Sequence, residues 1–148
     1  MSSNISFETL ESRKTAFMML YNEQKYDIVE IANKLNIGVG ITQSIDDEIL
    51  GFIRYRDNKF QIVVNNSQKI DEPMTNARVQ TTIAHEVAHW IYDYDEMVSN
   101  QRIFCESIND IFNDEMEIRA SRVASNIMLG LNKPLVDQEA QLKIILDF

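Results

Sequence analysis

The five residues His85-Glu86-Val87-Ala88-His89 restrict this chain more than any other feature. Two histidines four positions apart share one face when the backbone is an α-helix, which completes a turn in 3.6 residues. The neighbours agree with that demand. Ile83, Val87, Trp90 and Ile91 recur at helical spacing and make a buried side, while Ala84 and Ala88 leave room for another element to approach. A long helix is therefore expected over Thr75 to Tyr92, capped by Thr75 and broken by Asp93-Tyr94-Asp95.

On such a helix both imidazoles can reach one zinc ion at about 2.0–2.1 Å. Glu86 is too displaced to ligate together with both rings, but it can reach a zinc-bound water and accept its proton. His85 and His89 are the only histidines in the chain, and both stand in the motif. The bland alternative is a helical packing domain that binds no metal.

A catalytic zinc needs a third protein ligand and one open position. The single cysteine, Cys105, lies in the apolar run Ile103-Phe104-Cys105 and is expected in the core, so the third ligand is a carboxylate. Asp95 would serve after a tight turn, but that turn needs glycine where this chain has Tyr92. Glu117 is favoured. Ala120 and Ala124 share its helix face and would let that helix lie close beside the histidines. Glu115 is the rival, and its companions Arg119 and Arg122 suggest a solvated face.

The rest of the chain reads as α+β. Helices are expected over Phe7–Asn22, with Ser6 as cap, and Asp27–Leu35, with Asp27 as cap and Asn36 as stop. Gly38 to Ile41 is β-like, and the runs Ile49–Tyr55 and Phe60–Val64 form a hairpin. Residues 96–112 look helical or irregular. Asp114 to Leu129 reads as a helix ended by Gly130, followed by a turn at Asn132-Lys133-Pro134 and a last helix from Gln138 to Phe148. With 148 residues the chain fits one domain, its core over 27–130 and a C-terminal turn and helix over 131–148.

A net charge of −9 and scattered basic residues, Arg13-Lys14 and Arg119 among them, argue against nucleic acid as a direct partner. One cysteine allows no internal disulfide. No apolar run is of spanning length and the first residues carry no leader pattern, so a cytoplasmic, membrane-free protein is expected.

Several segments together resemble the ImmA/IrrE family of metallopeptidases, small proteins of this motif common in phages and mobile elements. They are Ile28 to Ile37, the strand Gln61 to Asn65, the helix Thr82 to His89, and Glu117-Ile118-Arg119-Ala120-Ser121-Arg122-Val123-Ala124. The resemblance covers about Asp27 to Gly130. It implies a small zincin-like, gluzincin-type domain, with helices on a short sheet. It also implies His85, His89 and Glu117 as zinc ligands and Glu86 as catalytic base. The implied activity is endopeptidase cleavage of a partner regulatory protein, such as a helix-turn-helix repressor. Departures are Ala88 for glycine, Ser121 and Val123 for asparagine and phenylalanine, and Ile127 to Gly130 where a proline usually ends the segment.

Peptide hydrolysis also needs a second donor for the oxyanion; Tyr92, Tyr94 and Arg78 are conceivable. The strand Phe60 to Asn65 is expected near a sheet edge, where an extended substrate could pair. The rival from another class is an anti-repressor or antitoxin-like binding protein in which zinc is purely structural.

Overall fold

The computed structural model describes residues 7–107 and 114–131. Helix α1 spans Leu10–Asn22. Its cap is Thr9 rather than Ser6, which lies outside the described residues. Thr9 and Ser12 satisfy each other: the Thr9 hydroxyl accepts from the Ser12 amide at 3.1 Å, and the Thr9 amide donates to the Ser12 hydroxyl at 3.3 Å. Phe7 stays outside the helix and sets its ring edge-on to Trp90 at 5.3 Å. Phe17 and Tyr21 are buried, but Leu10 is exposed. Arg13 takes the inward place instead, donating from Nε to the Ile91 carbonyl at 2.8 Å with its guanidinium 4.4 Å from the Tyr94 ring centre. It is a buried clamp, not part of a solvated face.

Helix α2, Ile28–Lys34, follows the sequence closely. Asp27 caps it in a box with Glu30, and Asn36 just beyond takes the left-handed backbone that stops it (φ 63°). Strand β1, Ile37–Thr42, comes next. The hairpin is β2, Ile49–Arg56, and β3, Lys59–Asn65. Its two-residue turn is Asp57-Asn58, both at positive φ, the geometry whose twist suits a tight hairpin.

The sheet order is β1-β3-β2-β4. β3 pairs in parallel with β1 on one side and antiparallel with β2 on the other. It is therefore an interior strand, which overturns the expectation of an edge there: its backbone ladders are taken on both flanks, by β1 and by β2. Among the described residues the edges are β1 and β4. Strand β4, Phe104–Ser107, runs antiparallel to β2 inside the stretch expected to be helical or irregular. Phe104 points into the core while Cys105 is exposed, the alternation a strand requires, so Cys105 is not a core residue.

A short 3-10 turn, Pro73–Thr75, leads to α3, Ala77–Tyr92. Asn76 caps α3 in place of Thr75, its side-chain oxygen accepting from the amides of Arg78 and Val79. The chain breaks at Asp93, but Tyr94 and Asp95 open the next helix, α4, Tyr94–Asn100. Helix α5 is Glu115–Leu131. It runs through Gly130, which keeps an ordinary helical φ instead of ending the helix. The turn at 132–134 and the helix at 138–148 lie outside the described residues.

The architecture is thus α+β, with five α-helices and a four-stranded mixed sheet among the described residues. From Thr82 to Ile91 every residue of α3 is buried, because the sheet covers one side of the helix and α5 the other. Ile83, Val87, Trp90 and Ile91 are each at most 1% exposed. Such a side chain contributes roughly 1.5–3 kcal/mol on burial, so α3 is held chiefly by packing. No described helix is long and apolar enough to cross a membrane.

Candidate metal centre

Burial on both sides gives α3 an unusual content: His85, Glu86 and His89 are 1%, 0% and 0% exposed. The polar face of the helix is turned into the protein, towards α5. Ala84 and Ala88 on α3, and Ala120 and Ala124 on α5, are all buried, and small side chains there let the two helices approach. Glu117, in the first turn of α5, comes back across this contact. Its Oε1 lies 2.9 Å from His85 Nε2 and 3.1 Å from His89 Nε2.

The other ring nitrogens are also occupied. His89 Nδ1 is 2.8 Å from Asp93 Oδ2. His85 Nδ1 lies 3.2 Å from Ser121 Oγ and 3.4 Å from Glu106 Oε2. The His89 ring stacks on Phe104 with centres 4.1 Å apart. Asp93 is itself held by Arg119, whose Nη2 donates to Asp93 Oδ1.

Glu86 is the outlier. Neither of its oxygens has a hydrogen-bond partner among the described residues. Burial, and then the charges of Glu106 and Glu117, push its carboxyl well above the usual range. Burial also raises Glu106, against the pull of His85. Glu117 goes the other way. Burial opposes its charge, but hydrogen bonds from His85 and His89 bring it down to about 2. Burial likewise opposes a charge on His89, and its bonds to Asp93 and Glu117 outweigh this and raise its pKa.

These contacts test whether a metal suits the site. A carboxylate only accepts, and a neutral imidazole has one N–H. If His89 donates from Nδ1 to Asp93, its bare Nε2 lone pair faces the Glu117 oxygen. Acceptor would meet acceptor at 3.1 Å unless a proton or a cation lies between them. The donor set fits a divalent cation: two imidazole Nε2 atoms and one carboxylate converge, with a second carboxylate buried and unpartnered beside them. His85, Glu86 and His89 can also bring ligand atoms within 4.8 Å of one another. Glu117 is the better third ligand, because its oxygen already touches both Nε2 atoms whereas Glu86 touches neither.

His85, Glu86, His89 and Glu117 are therefore assembled together. Glu115 and Asp95 are exposed and hydrogen-bond neither ring. Of the possible oxyanion donors, Tyr92 lies under the Arg119 guanidinium, Tyr94 under that of Arg13, and Arg78 is exposed two turns before His85. Four contributors escaped the sequence reading. In the sequence Asp93 reads only as a helix breaker, Arg119 as surface and Ser121 as a family departure, and Glu106 carries no signal. Asp93 was findable, since it follows His89 at the same four-residue spacing that joins the histidines. Glu106 was not, because only the sheet brings it near. No family model, no curated protein and no solved structure matches this chain.

Proposed function

We propose that this chain is a zinc-dependent endopeptidase of the gluzincin type, with His85, His89 and Glu117 as ligands and Glu86 as the proton carrier. The observation that carries this reading is the convergence of both Nε2 atoms on one Glu117 oxygen, beside a buried, unpartnered Glu86. A bound zinc would supply Lewis acidity at the scissile carbonyl and a water of lowered pKa.

The protein's own share follows from its carboxyls. Glu117, held near pKa 2, stays an anion throughout the neutral range. Glu86, with a raised pKa, has the basicity to take a proton from water and pass it to the leaving amine. The sheet edge on the side of the site is β4, so an extended substrate would pair there and not on the interior β3. The substrate class, a partner regulatory protein such as a helix-turn-helix repressor in the cytoplasm, rests on the sequence resemblance to the ImmA/IrrE family alone.

The depth of the histidines favours a second reading. Rings 1% and 0% exposed suit a closed structural zinc in a binding protein that acts by docking. Glu86→Gln separates the two. On the peptidase reading the variant still takes up about one zinc per chain but no longer cleaves the partner when the two proteins are mixed. A biological effect that survives this substitution intact would sink the peptidase reading.

A further inference from the structure

We propose that Asp93, locked by Arg119, is the positioning residue that aims His89 Nε2 at the metal. The inference rests on the metal reading of the site but concerns residues outside the proposed ligand set.

Asp93 is joined to His89 twice. Its amide donates to the His89 carbonyl at 2.7 Å, closing the last turn of α3, and its Oδ2 accepts from His89 Nδ1 at 2.8 Å. The carboxylate is 4% exposed and has its second oxygen on Arg119, so it has no freedom to swing away. A carboxylate facing Nδ1 selects the form of the ring that carries a proton there, which leaves Nε2 with its lone pair. Phe104 fixes the ring plane from β4.

His85 is held differently. Its Nδ1 has two weaker partners, Ser121 and Glu106, at 3.2 and 3.4 Å. The two ligands are thus unequal, His89 being rigidly aimed by a buried carboxylate that a half-buried arginine holds, and His85 only loosely. Arg119 also belongs to α5, two residues beyond Glu117. One ion pair therefore sets the direction of His89 and helps locate the helix that brings the third ligand.

The test uses Asp93→Asn, which keeps the shape and removes the charge. Arg119 would hold the amide oxygen and turn the NH2 towards Nδ1. That favours the opposite ring form, with a proton on Nε2. Zinc affinity, measured by competition with a chromogenic chelator, should fall about 10- to 100-fold. A structural role alone would leave the ring form untouched, so nitrogen-15 NMR of the metal-free protein supplies a second readout. Wild type should show His89 protonated at Nδ1, and Asp93→Asn should not.

An affinity within about threefold of wild type in the folded variant, or a His89 that keeps its Nδ1 proton, overturns the inference while zinc binding stands. If Asp93→Asn does not fold, Arg119→Gln replaces it, and an affinity unchanged there overturns the inference equally. A wild type that takes up no zinc refutes the metal reading instead, and the NMR comparison then judges Asp93 by itself.

Discussion

Gly51 is the place where the sheet lets the histidine helix come close, and replacing it by alanine should push the two apart. A Cβ at Gly51 would lie 2.8 Å from the Val63 carbonyl oxygen and 2.9 Å from Thr82 Cγ2. Comfortable carbon contacts are about 3.5–4.0 Å, so both approaches are too short by roughly half an ångström or more. The first obstacle is the backbone of β3, which cannot turn away. The second is a β-branched methyl on α3 whose hydroxyl is tied to the Arg78 carbonyl at 3.3 Å. Overpacking of this kind costs about 1–3 kcal/mol, from which alanine's smaller loss of chain entropy returns about 0.5–1 kcal/mol. The net loss, about 1.3 kcal/mol from the midpoints of these ranges, should lower the melting temperature by about 3–5 °C in a chain of this size. Urea unfolding should show a lower midpoint with an unchanged slope. Adding Thr82→Ser deletes the methyl but keeps the hydroxyl bonded to the Arg78 carbonyl, and it should recover part of the loss. A Gly51→Ala protein within about 0.3 kcal/mol of wild type would refute the account.

The Tyr21 hydroxyl is buried with no partner among the described residues, and burial pushes its pKa up to about 12 from 10.0. A raised folded-state value gives stability that is complete below pH 10 and lost as pH rises through 12. Urea titrations at pH 9 to 12 should therefore show a decline of up to about 2–3 kcal/mol in wild type that Tyr21→Phe lacks; equal declines would contradict this. Glu117 has the opposite sign. Its folded pKa of about 2 lies below the ordinary 4.5, so its contribution is present above 4.5 and lost as pH falls through 2. In metal-free protein the acid loss of stability should be shallower for Glu117→Gln than for wild type, as followed by circular dichroism. Asn58→Gly should stabilise the hairpin turn slightly, because φ is 61° there and Asp-Gly is a preferred pair for such a turn; a lower urea midpoint would count against the turn geometry.

What the sequence disclosed was whatever depends on near neighbours. Asp27 and Glu30 make a local box, Asp57-Asn58 makes a local turn, and His85 and His89 share a face by helix geometry alone. Even Glu117 could be picked out, because Ala120 and Ala124 mark the face that approaches α3. What stayed hidden depends on partners far along the chain. β3 looks like a half-exposed edge strand until β1 covers its other flank. β4 is four residues long, too short to display a period, so Glu106 had no context and Cys105 was placed on the wrong face. Arg13 and Arg119 look like ordinary surface cations until Ile91, Tyr94 and Asp93 are brought to them.

The join between α3 and α5 also fixes when the site can exist. His85, Glu86, His89 and Asp93 come together as soon as one helix winds, an event of about a microsecond or less. Glu117 has to return across 28 to 32 residues, and it does so carrying a negative charge towards Glu86 and Glu106. Glu86 and Glu106 oppose that approach, but the two imidazoles outweigh them, because their hydrogen bonds hold the Glu117 carboxyl down at about 2. On the metal reading, folding and metal capture would meet at that one closure, where a divalent ion resting on the two imidazoles would strengthen the hold they already have on the last arriving carboxylate.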